Sequence, residues 1–155
     1  MIQRIQSLYL LLVTALMACT LFLPISYVVT GDGTTLTLSA FDWFGNGIGY
    51  SWIFAALFGV ATLLPFVTIF LFKFRKRQVG LCAAEGVLQI GSVLVIVLFH
   101  FMIIPDIFGE VGIEIADKSL GWVLILPIIA LIPTFLAGRA IFRDEMLVRS
   151  LDRIR

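Results

Sequence analysis

Gln78, Cys82, Glu85, Gln89 and Ser92 recur at steps of four, three, four and three. On a helix these steps hold all five side chains on one face. The face offers a carboxylate, two amides, a thiol and a hydroxyl. The surrounding stretch, about Val79 to Phe101, is otherwise apolar. It is long enough to cross a bilayer, which takes about 20 residues of helix. A polar stripe there is costly against lipid, so it must point into a bundle or at a partner. Glu85 is the one acid inside a span, at a depth of about 9 Å by helix rise. An unpaired carboxylate at such a depth costs on the order of 2 to 3 kcal/mol or more. Arg139 reaches a similar depth from another apolar run, which makes a Glu85–Arg139 ion pair one expectation. The other is an ion or proton site at Glu85. The structural tie is favoured, because carriers place polar groups on several helices and break them at mid-depth.

Other reactive groups are sparse. The cysteines, Cys19 and Cys82, are separated in depth by about 15 Å of helix rise. A disulfide needs α-carbons within about 7 Å. With one histidine, His100, the chain lacks a multi-histidine metal set. His100 reads as an interfacial residue. No metal site, cofactor or nucleophile–base pair is expected, and nothing suggests nucleic acid as a partner.

The elements that must position the stripe follow from composition. Of 155 residues, 61% are hydrophobic, against about half in a soluble domain. The excess is gathered into four runs, about 5–25, 52–72, 79–101 and 120–141. Each must be helical, since a lone spanning segment satisfies its backbone internally. Arg4 before an apolar run resembles a secretory signal, and Leu16-Met17-Ala18-Cys19 resembles a lipoprotein cleavage box. The residues after Cys19 stay apolar, so the first helix is expected to be retained. Pro127 and Pro133 should bend the fourth span. Small residues four apart, Ala55 with Gly59, Gly80 with Ala84, and Ala130 with Thr134 and Gly138, let helices approach closely, within the bundle or between copies.

Ten of the eleven Lys and Arg residues fall on one side of the implied membrane; Lys118 alone falls on the other. The short basic loop Lys73 to Gln78 belongs on the cytoplasmic side, which places both termini there. The outer loops carry Asp32, Asp42, Asp106, Glu110, Glu114 and Asp117. Trp43, Trp52 and Trp122 fall near the outer boundary, as an aromatic belt would. In the first outer loop, Gly31-Asp32-Gly33 separates two segments rich in β-branched residues and predicts a small hairpin. The second outer loop, about Pro105 to Ser119, is either irregular or holds one strand at Val111 to Ile115. The fold class is therefore all-α membrane protein: a single four-span domain over 1–155, with a hairpin outside and a cytoplasmic helical tail at 142–155.

That tail exceeds what orientation requires. Leu147, Leu151 and Ile154 are spaced as one helical face, and acids alternate with bases around it. Arg149 and Arg153 would supply polar contacts beside the apolar face.

Three stretches carry a family resemblance. They are Met1-Ile2-Gln3-Arg4-Ile5-Gln6-Ser7-Leu8-Tyr9-Leu10; Arg75-Lys76-Arg77-Gln78 running on to Leu81-Cys82; and Leu126-Pro127-Ile128-Ile129-Ala130-Leu131 leading into Leu136-Ala137-Gly138-Arg139-Ala140-Ile141 and Asp144-Glu145-Met146-Leu147-Val148-Arg149-Ser150-Leu151-Asp152-Arg153. The chain resembles a family of four-span inner-membrane proteins of Bacteroidota, domain of unknown function 4293, over nearly its whole length. The resemblance implies a bacterial inner-membrane location and no particular activity. The plan is also similar to that of claudins, without their paired loop cysteines or tryptophan-glycine-leucine-tryptophan motif.

The function expected from these readings is a non-enzymatic accessory or scaffold subunit of an inner-membrane assembly. Its partners would be the lipid bilayer and a membrane protein or further copies of the chain. The alternative is a small ion- or proton-coupled transporter or channel using the polar stripe.

Overall fold

A computed structural model describes residues 2–41, 51–71 and 74–152. Four helical segments are long and apolar enough to cross a membrane: Ile5–Phe22, Trp52–Phe70, Lys76–Glu110 and Trp122–Val148. The protein is accordingly a multi-pass membrane protein, mostly helical. The helices are α1 (Ile2–Phe22), α2 (Ser51–Phe70), α3 (Arg75–Leu98), the short α4 (Ile104–Val111) and α5 (Ile125–Asp152). The strands are β1 (Pro24–Thr30), β2 (Thr35–Ser39) and β3 (Ile115–Leu120). The four long helices form a closed ring in which α1 touches α2 and α5, and α3 touches α2 and α5.

Helix interiors hold few polar groups, and several threonines among them bond to their own helix. The hydroxyls of Thr14, Thr62, Thr68 and Thr134 each donate to the carbonyl four residues back. Pro133 lies inside α5, and so does Pro65 inside α2. Pro127 sits in the first turn of α5 instead, where a proline removes no helical hydrogen bond.

The apolar interior is layered. At the acidic end, Ile25, Val28 and Leu38 of the strands pack on Phe54, Phe58, Ile96 and Phe99. In the middle, Val13, Met17, Ala61 and Ala130 meet. At the basic end, Leu10, Cys82, Ala137 and Ile141 close the bundle.

Four expectations need correction. The first span ends at Phe22, because Pro24 and Ile25 already belong to β1. The hairpin is the larger part of a three-stranded antiparallel sheet of order β2-β1-β3, so the segments after α1 and after α4 are joined. The third strand is not at Val111 to Ile115. Gly112 (φ 73°) closes α4 in the left-handed conformation that favours glycine, and pairing starts only at Ile115. The third helix does not stop near Phe101 either. A π-helical turn at Phe99–Ile103 carries it into α4. Pro105, near the start of α4, cannot donate back to its own helix, and widening the preceding turn accommodates it.

Gly121 sets the junction between sheet and membrane. Its N–H donates to the Ile25 carbonyl at 2.9 Å, and a Cβ there would lie 1.9 Å from the Pro24 carbonyl oxygen. Only glycine allows the chain entering α5 to pass so close to β1.

Candidate functional site

The predicted stripe faces inward throughout. Gln78, Cys82, Glu85, Gln89 and Ser92 are all buried. The helical spacing that groups them is the spacing that buries α3 against its neighbours. Two of the polar groups, Gln78 and Gln89, reach other helices. Gln78 Nε2 donates to the Thr68 carbonyl on α2 at 2.8 Å. Gln89 Nε2 donates to Thr134 Oγ1 on α5 at 2.8 Å and to Glu85 Oε1 at 3.2 Å. Ser92 Oγ donates to the Leu88 carbonyl of its own helix at 2.7 Å. Cys82 is a free thiol packed where α3 crosses α5; a Cβ on Gly138 would stand 3.4 Å from its Cβ. The small residues Ala130, Thr134 and Gly138 therefore serve packing within the bundle. Gly59 and Gly80 have open space where a Cβ would stand.

Two acceptors in this cluster are unsatisfied. Glu85 Oε2 and Gln89 Oε1 are buried without a hydrogen-bond partner. Such groups are uncommon in native interiors and mark a place where a proton, water or ion could be taken up. The expected Glu85–Arg139 pair is not formed. Glu85 Oε1 takes its bond from Gln89, Oε2 takes none, and Arg139 is exposed. Arg139 lies five residues beyond Thr134, which is about 140° around the helix. Equal depth did not mean a shared side.

The stripe is not a continuous polar path. Beyond Ser92 the same face carries Ile96 and Phe99, both in the apolar layer with Phe54 and Phe58. The rings of Phe54 and Phe99 meet edge to face with centroids 4.7 Å apart.

Past that layer lies a contact that spacing could not reveal. Ser26 Oγ on β1 is 2.9 Å from His100 Nδ1, across 74 residues of sequence. His100 is buried within the protein. A serine beside a histidine invites comparison with a nucleophile and its base. Both side chains are buried, Ser26 completely. The serine hydroxyl also lies 3.3 Å from the Ser119 carbonyl, a second acceptor for its proton. The contacts among Ser26, His100 and Ser119 tie β1, β3 and the π-helical turn together. Lys118 Nζ reaches the His100 carbonyl at 3.5 Å and covers the Phe101 ring. No group of three His, Cys, Asp or Glu residues able to hold a metal occurs among the described residues.

Two surface features remain. A groove of about 440 Å³ runs between α3 and α5 at the basic end, floored by Cys82, Gly86 and Thr134 and walled by Phe135 and Phe142, with Arg139 at its edge. The second feature is the far end of α5, where Met146, Leu147 and Val148 are exposed. This end is braced by Gln6 Nε2, which donates to Asp144 Oδ2 at 3.2 Å. Of the expected contact residues, Leu147 is in view; the side chains of Arg149, Leu151, Arg153 and Ile154 lie outside the described residues, as does Trp43.

The family model described as domain of unknown function (DUF4293) matches residues 2–154. The chain belongs to the DUF4293 family. No curated protein matches it. The match of this DUF4293 chain spans the ring of four helices, the sheet and the end of α5 alike.

Proposed function

We propose that the protein is a non-enzymatic accessory or scaffold subunit of a bacterial inner-membrane assembly. The end of α5 is its contact element. The observation that carries this reading is the exposure of Met146, Leu147 and Val148 just beyond Arg143, Asp144 and Glu145. The apolar segment Trp122–Val148 has 27 residues, more than the about 20 that cross a bilayer, and these charges near its end favour that end projecting beyond the lipid tails. Apolar groups on a projecting end gain by being covered by a partner. The bond from Gln6 to Asp144 holds the first turn of this extension against α1, which supports a preorganised contact. Segregated positive charge supports cytoplasmic termini. Isolation in mild detergent followed by native mass spectrometry tests the proposal. A stable hetero- or homo-complex that Leu147→Glu dissociates is expected. A monomer under every condition contradicts it.

A second reading, a small proton- or ion-coupled transporter, is favoured by one observation: Glu85 Oε2 and Gln89 Oε1 are buried without partners. The apolar layer of Ile96 and Phe99 weighs against it. Glu85→Gln separates the two in reconstituted vesicles. A carrier loses flux while remaining folded; for the scaffold, complex formation persists and no flux exists to lose.

A further inference from the structure

We propose that the groove between α3 and α5 binds an anionic phospholipid, one acyl chain lying in the groove and the phosphate on Arg139. The groove's volume of about 440 Å³ falls within the roughly 300–1,000 Å³ of small-ligand sites. Its floor and walls are almost entirely apolar, so its occupant is apolar along most of its length. Gly86 makes it deep: nothing stands within 4 Å of where a Cβ would be.

The occupant's charge follows from the edge. Arg139 is exposed beside the groove, and no acid pairs with it among the described residues. Arg143 follows one turn along α5. Lys76 and Arg77 are exposed at the start of α3, one turn before Val79 at the same end of the groove. The N-terminus of α3 adds its positive pole there. An apolar groove ending in uncompensated positive charge complements an acyl chain ending in phosphate. A guanidinium is the side chain best shaped to take two phosphate oxygens at once. A second copy of this chain fits less well: a spanning helix laid in the groove would cover Arg139 without offering it an anion. The inference stands apart from the contact role of the α5 extension and survives if that role fails.

The test uses the full chain, delipidated in mild detergent, and native mass spectrometry against phosphatidylglycerol and phosphatidylcholine with matched acyl chains. One retained phosphatidylglycerol is expected, preferred by roughly five-fold or more, the scale of one basic side chain at an anionic headgroup. Arg139→Gln removes the preference and leaves the fold intact, since its side chain is exposed. Gly86→Leu fills the floor and abolishes retention of both lipids. Equal retention of the two lipids by the wild-type protein overturns the proposal. So does a preference that both variants keep, or a dimer that Gly86→Leu breaks with lipid retention unchanged. Circular dichroism and elution volume verify the fold of each variant, and Arg139→Gln alone decides if Gly86→Leu is unstable.

Discussion

Gln89 donates to groups on two helices from one nitrogen, and Thr134 passes the connection on to its own backbone. Thr134→Val keeps the volume and removes the acceptor. It is expected to lower stability by about 0.6 to 2 kcal/mol, the range for hydrogen bonds between membrane helices. Thermal unfolding in detergent measures it; an unchanged midpoint would mean that the bond contributes nothing. Glu85→Gln belongs to the same cluster and is expected to leave the complex assembled, as read by native mass spectrometry. At this scale the stripe was legible because burial and helical periodicity are the same fact. Its partners were not. Gln89 meets Thr134 at a separation of 45 residues, and Ser26 meets His100 at 74. Local spacing carries no information about which faces of two distant elements meet. The pairing expected of Glu85 with Arg139 used depth alone and lacked the angle about the helix axis.

The strands and the third helix show what an element adds to its residues. Gly31-Asp32-Gly33 announces the turn between β1 and β2, with Gly33 at φ 78°. The pairing of β1 with β3, in which Tyr27 stands opposite Ser119, has no such local signal. Pro105 reads as a helix stop when taken alone, yet a π-helical turn absorbs it. Gly121 is the element-level weak point. Gly121→Ala places a methyl 1.9 Å from the Pro24 carbonyl oxygen. The strand or the start of α5 must shift, at a cost on the order of 3 kcal/mol. Gly31→Ala, whose nearest atoms lie 3.7 Å away, is the control. Hydrogen exchange should show loss of protection at the residue 121 amide, which donates to the Ile25 carbonyl, and along β3 in the first variant and not in the second. Equal protection in both would show that the junction yields without effect.

Over the whole molecule, charge and apolar surface are arranged along one axis. The acidic end is capped by a sheet that joins the segments after α1 and after α4. The basic end carries the groove and the projecting end of α5. The four spans and the polarity of the loops were legible from composition, because a bilayer imposes length and charge rules on any chain that crosses it. The groove was not legible, since it depends on how α3 and α5 cross. The interior is largely tied by bonds within the bundle and interrupted by an apolar layer, which supports the proposal that the basic end is where this protein meets others. A photoreactive residue substituted for Leu147 and activated in intact cells tests that most directly. A crosslinked adduct of discrete mass is expected from position 147 and none from exposed Phe41 at the opposite end. No adduct from position 147, or the same adducts from both positions, would contradict it.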